Sequence, residues 1–227
     1  MAGYMTNVAG VDFGPLGGAY YPPNFQFEVV RSFEDGNRLF MHIAQNPDGH
    51  ERWVTMSLLQ ICDDGSGSML HQISNRVAVR VNPDHTMVSG ARDLDPNEDA
   101  ATNKKIVRDF MQCCLVEGDI SRFFDFVDEE NFIPHNPHMH GRASGFRDLA
   151  AQEVRREDGA KYVKFHEVVG SCDFVAVFSD MQYRGQSIAA ADLFRLRNGK
   201  IVEHWDIAGE HRMNRTAGND VGRGVGG

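Results

Sequence analysis

Four runs between Phe25 and Val81 alternate apolar and polar positions with a period of two: FQFEVVRSF, NRLFMHIAQ, RWVTMSLLQIC and MLHQISNRVAVRV. The clusters EDGN, NPDGHE and DDGSGS separate them, and turn residues between alternating runs mark hairpins. This pattern predicts a four-stranded antiparallel meander. The period then changes. From Asn103, a candidate N-cap, the residues Ile106, Val107, Phe110, Met111, Cys114 and Leu115 form one apolar stripe at helical spacing, which Gly118 stops. Ile120, Phe123, Phe124 and Val127 mark a short second helix, and a third is predicted from about Ser144 to Arg156. Strand periodicity returns in KYVKFHEVVGS, DFVAVFSDMQY, QSIAAADLFRLR and KIVEHWDIAG. Three helices followed by a meander predict an α+β fold, with the helices stacked on one face of a curved antiparallel sheet.

The ends carry no such pattern. Residues 1–24 hold five glycines and three prolines and read as an extended arm. Residues 214–227 are glycine-rich and polar, as a flexible tail is. Between them lie a sheet-only unit (25–90), a polar linker (91–102) and the helix-plus-sheet domain (103–213). The two meanders share strand order and hairpin positions: FEVVRSFEDGNRLFMHIAQ aligns with FHEVVGSCDFVAVFSDMQ, and TMSLLQICDDGSGSMLHQIS with AADLFRLRNGKIVEHWD. The first unit therefore reads as a degenerate half-repeat of the second, without its helices. A lone sheet leaves one apolar face bare. The preferred solution is back-to-back packing on the second sheet, as an intramolecular pseudo-dimer; the alternative is a second domain packed only from its own elements.

Candidate chemistry concentrates in the last hairpin, where two strands meet at Arg197-Asn198-Gly199. A two-residue Asn-Gly turn pairs Asp192 with Trp205, and a three-residue loop pairs Asp192 with His204. The two registers exchange the faces. The second gathers Ile188, Ala190, Asp192, Phe194, Val202, His204 and Asp206 on one mostly apolar face, and it is preferred for that reason. Leu193, Arg195, Ile201, Glu203 and Trp205 then form the opposite face, a mixed surface suited to a protein contact. Two carboxylates and an imidazole on an apolar wall are a means of tuning a carboxyl group toward neutrality, so that it takes or returns a proton beside a carbonyl. A surface Asp–His–Asp ladder of small energetic consequence is the plainer alternative. The loop NFIPHNPHMHG adds His135, Asn136 and His138, stiffened by Pro134 and Pro137, as groups that could line the same pocket. Three histidines within six residues have no cysteine or carboxylate at a familiar metal-ligand spacing.

Composition narrows the rest. A net charge of −9 without a basic cluster argues against nucleic acid. No apolar run approaches the ~20 residues that cross a bilayer, and the first residues lack a signal-peptide pattern. Cys62, Cys113, Cys114 and Cys172 include no C-x-x-C pair, and free buried thiols in a reducing cytoplasm are expected.

The stretch FIPHNPHMHGRASGF resembles the "QHNP…G" segment of SnoaL-like proteins in the NTF2-like superfamily, and ADLFRLRNGKIVEHWD resembles their "DIFRLxDGKIVEHWD" ending. The likeness covers about residues 100–210. It implies a cone-shaped pocket of curved sheet and three helices. Among the polyketide cyclases and predicted aldol-condensation enzymes of this family, an acid–base aspartate on the last strand works without a cofactor, and Asp206 matches that position. Asp192 stands where the cyclases carry a partner histidine, and Pro134 replaces the glutamine before the His-Asn pair.

Three functions are weighed. In the first, Asp206 removes a proton alpha to a carbonyl of a small hydrophobic ligand, His204 and Asp192 set its pKa, and His135 with Asn136 polarises the carbonyl. Phe110, Phe194 and His138 complete the substrate wall, and no metal or organic cofactor is called for. In the second, the same pocket only sequesters a hydrophobic molecule. In the third, Trp205, Arg195 and Glu203 form an assembly surface, with a homodimer as the simplest product. The first sheet carries Ser57, Gln72 and Ser74 where the second has Asp192, His204 and Asp206, so it is expected to be catalytically inert.

Overall fold

The computed structural model describes residues 7–8, 11–12, 26–46, 52–77, 85–139 and 141–209. The expected tail 214–227 lies outside these residues, as does the expected arm apart from the paired two-residue strands β1 (Asn7–Val8) and β2 (Val11–Asp12). The first meander is β3 (Phe27–Asp35), β4 (Arg38–Gln45), β5 (Trp53–Ile61) and β6 (Gly67–Arg76), hydrogen-bonded in chain order. Helix α1 (Ala100–Phe110) runs into a π-helical segment, Met111–Val116. A 3-10 turn at Ile120–Arg122 leads into α2 (Phe123–Phe126), followed by β7 (Ile133–Pro134) and α3 (Ala143–Arg155). The second sheet is built from β8 (Lys161–Ser171), β9 (Phe174–Tyr183), β10 (Gln186–Arg197) and β11 (Lys200–Gly209), in the order β7-β11-β10-β9-β8. The fold is α+β, as the periodicities predict, with an additional antiparallel meander before it. No helix among the described residues is long and apolar enough to cross a membrane.

Strand alternation gives the second sheet two buried faces. Val175, Val177, Phe194, Leu196 and Ile201 meet Val107, Phe110, Met111, Cys114, Phe123 and Phe146 of the helices in one core. Ala176, Phe178, Ala189, Ala191, Leu193, Trp205 and Ile207 meet Phe33, Phe40, Val54, Met56, Leu58 and Ile73 of the first sheet in another. The two sheets are thus packed face to face. At ~25 cal/mol per Å² of apolar surface, each large side chain buried there contributes about 1.5–3 kcal/mol.

Three local expectations are corrected. The N-cap of α1 is Asp99, whose carboxylate accepts the Thr102 N–H at 2.8 Å. Asn103 sits inside the helix, buried, and donates to the Cys172 carbonyl at 3.0 Å. The expected linker therefore contributes residues 100–102 to the first helical turn, and Met87, in the loop before it, belongs to the core between the sheets. All four cysteines are free thiols, but Cys62 and Cys172 are only half-buried.

The last hairpin is the third correction. Its turn has two residues, Asn198 and Gly199, both at positive φ (51° and 73°), with Arg197 opposite Lys200. By itself this gives the register not preferred from sequence. A bulge then intervenes: Leu196 pairs with Ile201 and Arg195 with Glu203, leaving Val202 extra. The bulge shifts the register by one, and Asp192 faces Asp206 rather than His204. The expected face survives beyond the bulge, while Ile201 moves into the helix-side core.

Candidate active site

The helix-side face of the second sheet opens into a cavity of about 550 Å³. Leu115, Met139, Phe146, Leu149, Met181 and Ile188 make most of its apolar wall. Asn136, His138, Tyr162, His204 and Asp206 bring polar atoms to it.

Asp192 lies behind this wall, fully buried. The Tyr162 hydroxyl donates to its two carboxylate oxygens at 3.0 Å each, and His204 Nε2 donates to Oδ1 at 2.9 Å. A carboxylate is an acceptor only, so this arrangement places a His204 proton on Nε2. The imidazole is held flat between Phe194 and Phe146, with ring centroids at 4.6 and 4.8 Å. Its Nδ1 is buried and has no partner.

Asp206 is half-buried, and Asn136 Nδ2 donates to its Oδ2 at 2.7 Å. Its Oδ1 is buried without a partner. Burial pushes the Asp206 carboxyl above the usual carboxylate range, and Asp192 across the strand pair adds to this; His204, the Asn136 hydrogen bond and His138 act in the opposite direction. Burial, followed by the charges of Asp192 and Asp206, pushes the Tyr162 phenol well above 10. Among the described residues, no group of three or more His, Cys, Asp or Glu side chains is placed to hold a metal ion.

Asp192, His204, Asp206, Asn136 and His138 are thus brought together, and three expected residues are not. Phe110 and Phe194 are fully buried in the helix-side core, where they pack edge to face at 5.9 Å. They support the pocket from below and do not line it. His135 points to the opposite side of the sheet. The reason is β7, which adds to the edge of β11 in parallel, pairing Ile133 with Glu203 and Pro134 with His204. The His135 N–H donates to the His204 carbonyl at 2.9 Å, and alternation then sends the His135 ring to the Glu203 side and Asn136 to the Asp206 side. His135 Nε2 donates to Glu203 Oε2 at 3.1 Å, and the ring stacks on Trp205 at 4.4 Å. Burial holds the His135 imidazole below the ordinary histidine range.

The face expected to bind another protein is occupied from within. Trp205 is 1% exposed and Glu203 3%. Arg195 holds Glu203 Oε1 through Nε and Nη2 at 2.9 and 2.6 Å. Trp205 lies in the core between the sheets, and Arg195 and Glu203 are paired with each other. Two site residues were missed. Tyr162 lies thirty positions before Asp192, on an edge strand whose register shifts at Tyr162/Lys164 and again at Phe165/Glu167. No periodicity could assign its direction. Asn75, from β6 of the first sheet, reaches the cavity mouth and donates to the Ala208 carbonyl at 2.9 Å.

An α+β cone with a half-polar pocket at its sheet face is the class these elements define. Residues 107–204 match the model of the SnoaL-like domain, so this part of the chain carries a SnoaL-like domain. No curated protein sequence matches the chain. Among solved structures, TsrD from Streptomyces laurentii is similar at 16% identity, with 48% of this chain and 90% of that one covered and a TM-score of 0.42. An NTF2-like protein of unknown function from Cytophaga hutchinsonii is similar at 20% identity, covering 47% and 89%, with a TM-score of 0.41. An LEH-like epoxide hydrolase from M. tuberculosis is similar at 12% identity, covering 48% and 84%, with a TM-score of 0.40.

Proposed function

We propose that the pocket is the active site of a cofactor-independent acid–base enzyme acting on a small, largely apolar carbonyl compound. The observation that carries this reading is a pair of buried, unpartnered polar atoms, Asp206 Oδ1 and His204 Nδ1, on two residues that line one cavity. An orphaned buried polar atom costs about 1–3 kcal/mol, and native proteins keep few of them. Asp206 Oδ1 is the acceptor that takes the proton in this reading.

Asp206 Oδ1 takes the proton from the carbon alpha to the carbonyl. The C–H electron pair becomes the enolate, whose oxygen is met by the second N–H of the Asn136 amide and by His138. In an aldol closure the enolate carbon attacks a second carbonyl carbon. The resulting alkoxide recovers the proton from Asp206, so no net proton is gained or lost. Asp192 does not touch substrate; with Tyr162 it fixes the tautomer and tilt of His204. The first sheet, without equivalents of these groups, serves as a platform that covers the back of the second and makes the chain its own pseudo-dimer.

The test is hydrogen–deuterium exchange at the alpha carbon of apolar ketones, with 2-tetralone and 2-acetylnaphthalene as probes, followed by proton NMR in D₂O. The full chain should accelerate exchange, and Asp206→Asn should remove about 10²–10⁴-fold of that acceleration. Exchange retained by Asp206→Asn refutes the assignment. A probe that binds without exchange makes the pocket a binding module instead.

A further inference from the structure

We propose that the loop joining the two units, residues 85–91, is a positioning element of the acid–base site, acting through the back of β11 to keep Asn136 on Asp206. The inference rests on Asp206 being the acid–base group, and its geometry is continuous from one face of the sheet to the other.

The loop is held down from the first sheet by Arg31, which is 4% exposed. Its Nε donates to the Ala91 carbonyl at 3.0 Å, and Nη2 to the carbonyls of Ser89 and Val88 at 3.0 and 3.3 Å. The same guanidinium lies 4.4 Å over the Trp205 ring, and its Nη1 donates to His42 Nδ1 at 2.7 Å. Clamped in this way, the loop makes two contacts with the back of β11 and two with His135. Trp205 Nε1 donates to the Ser89 carbonyl at 2.9 Å, and the Ala91 N–H to Glu203 Oε2 at 3.2 Å. His135 Nδ1 lies 3.0 Å from the Thr86 carbonyl and 3.3 Å from the Ser89 hydroxyl.

Gly90 makes the approach possible. Its φ is +99°, and a Cβ there would lie 2.7 Å from Trp205 Cζ2, 2.8 Å from His135 Cε1, and closer still to Glu203 Oε2. Only a residue without a side chain fits that backbone at that distance. His135, Glu203 and Trp205 are the three residues that a Cβ at Gly90 would meet. The next residue after His135, Asn136, and the next after Trp205, Asp206, form the 2.7 Å hydrogen bond on the opposite face. Strand β7 is only two residues long, so its own ladder to β11 fixes it weakly. The stack of His135 on Trp205, pressed from behind by the loop, supplies the remaining restraint. Arg31, Thr86, Ser89, Gly90 and His135 are positioning residues in this scheme; none touches the cavity.

The experiment reads Asp206 directly and needs no substrate. The full chain is labelled with [4-¹³C]aspartate, and the Asp206 carboxyl resonance is assigned by its loss in Asp206→Asn. Asp192, His204, Tyr162 and His138 are the titratable groups around Asp206, Glu153 and Tyr183 line the same cavity, and none of them is altered in the test variants. Asn136→Ala should raise the Asp206 titration midpoint, because it removes a donor that favours the charged form. Gly90→Ala and His135→Ala should raise it in the same direction; the alanine removes both the stack on Trp205 and the polar contacts. Combining either with Asn136→Ala should add nothing, since all act on one hydrogen bond. Ser89→Ala is the milder variant if Gly90→Ala does not fold, and it should produce a smaller rise. An unchanged Asp206 midpoint in the folded loop variants overturns the proposal, as does a full additive rise in the double variants. Loss of ketone exchange in Asp206→Asn is read separately, so the positioning scheme and the catalytic reading fail independently.

Discussion

Tyr162→Phe is the sharpest stability test of the wall behind the pocket. The hydroxyl it removes donates to both oxygens of Asp192 at 3.0 Å, and Asp192 is fully buried. Its Oδ1 keeps the His204 Nε2 contact at 2.9 Å, whereas Oδ2 loses the one hydrogen bond described for it. A hydrogen bond to a charged acceptor contributes about 1.5–3 kcal/mol. Water entering from the adjoining cavity would bring the loss toward the lower end. With a urea m-value of about 2 kcal/mol/M, the unfolding midpoint should fall by about 0.7–1.5 M. Tryptophan fluorescence is a suitable probe, because Trp53 and Trp205 lie in different sheets. The same substitution in an Asp192→Asn background should cost only about 0.5–1.5 kcal/mol, the range for a neutral pair. A loss below about 0.5 kcal/mol in the wild-type background, or equal losses in both, refutes the argument that Tyr162 anchors a buried carboxylate.

Asp206→Asn should stabilise the fold at neutral pH while impairing the pocket's chemistry. The folded carboxyl titrates above its unfolded value near 4, so its favourable contribution is complete below that value and is lost as pH rises through the folded midpoint. The neutral amide escapes that loss; urea melts at pH 3 and pH 8 should show a gain at pH 8 that vanishes at pH 3. Leu58→Ala, in the core between the sheets, should cost about 2–5 kcal/mol. A loss under 1 kcal/mol would mean that the two sheets are not packed as one core in solution.

Most of the fold was legible because both periods are strong where the chain is buried on one side. The strands at residues 161–171, 186–197 and 200–209 coincide with the alternating runs, and α3 differs from expectation by one residue at each end. The pocket face of the last hairpin was chosen from its apolar pattern, and the pattern was right although the turn was not. Asn198-Gly199 makes the short turn its residues favour, and the bulge at Val202 restores the face that burial demands. Turn chemistry and hydrophobic pattern disagreed by one residue, and an inserted residue satisfied both. His135 went wrong for a different reason. In a loop, neighbouring side chains have no fixed alternation, and nothing in IPHNP announces that two of its residues join a sheet edge. The N-cap moved from Asn103 to Asp99 because Asn103 finds a buried carbonyl partner on Cys172, a long-range contact that no local signal carries.

The alternation along β11 also bears on why the pocket can hold its unpartnered atoms. Glu203, Trp205 and Ile207 face the first sheet, and His204 and Asp206 face the cavity. Every second residue therefore serves stability, and those between serve the site. Two buried polar atoms without partners cost about 1–3 kcal/mol each. A SnoaL-like half-sandwich standing alone would expose Trp205, Leu193 and Phe178 on its back, and would have to cover them with another molecule. Here the N-terminal sheet covers them within one chain, with Phe40, Met56 and Leu58 among the residues that do so. The covering layer offsets the cost of the pocket's polar wall without contributing a titratable group to it. The first sheet needs no catalytic residues to be indispensable to the second: its Arg31 pins the loop, the loop presses on His135 and Trp205, and the strain-free fit depends on the missing side chain of Gly90.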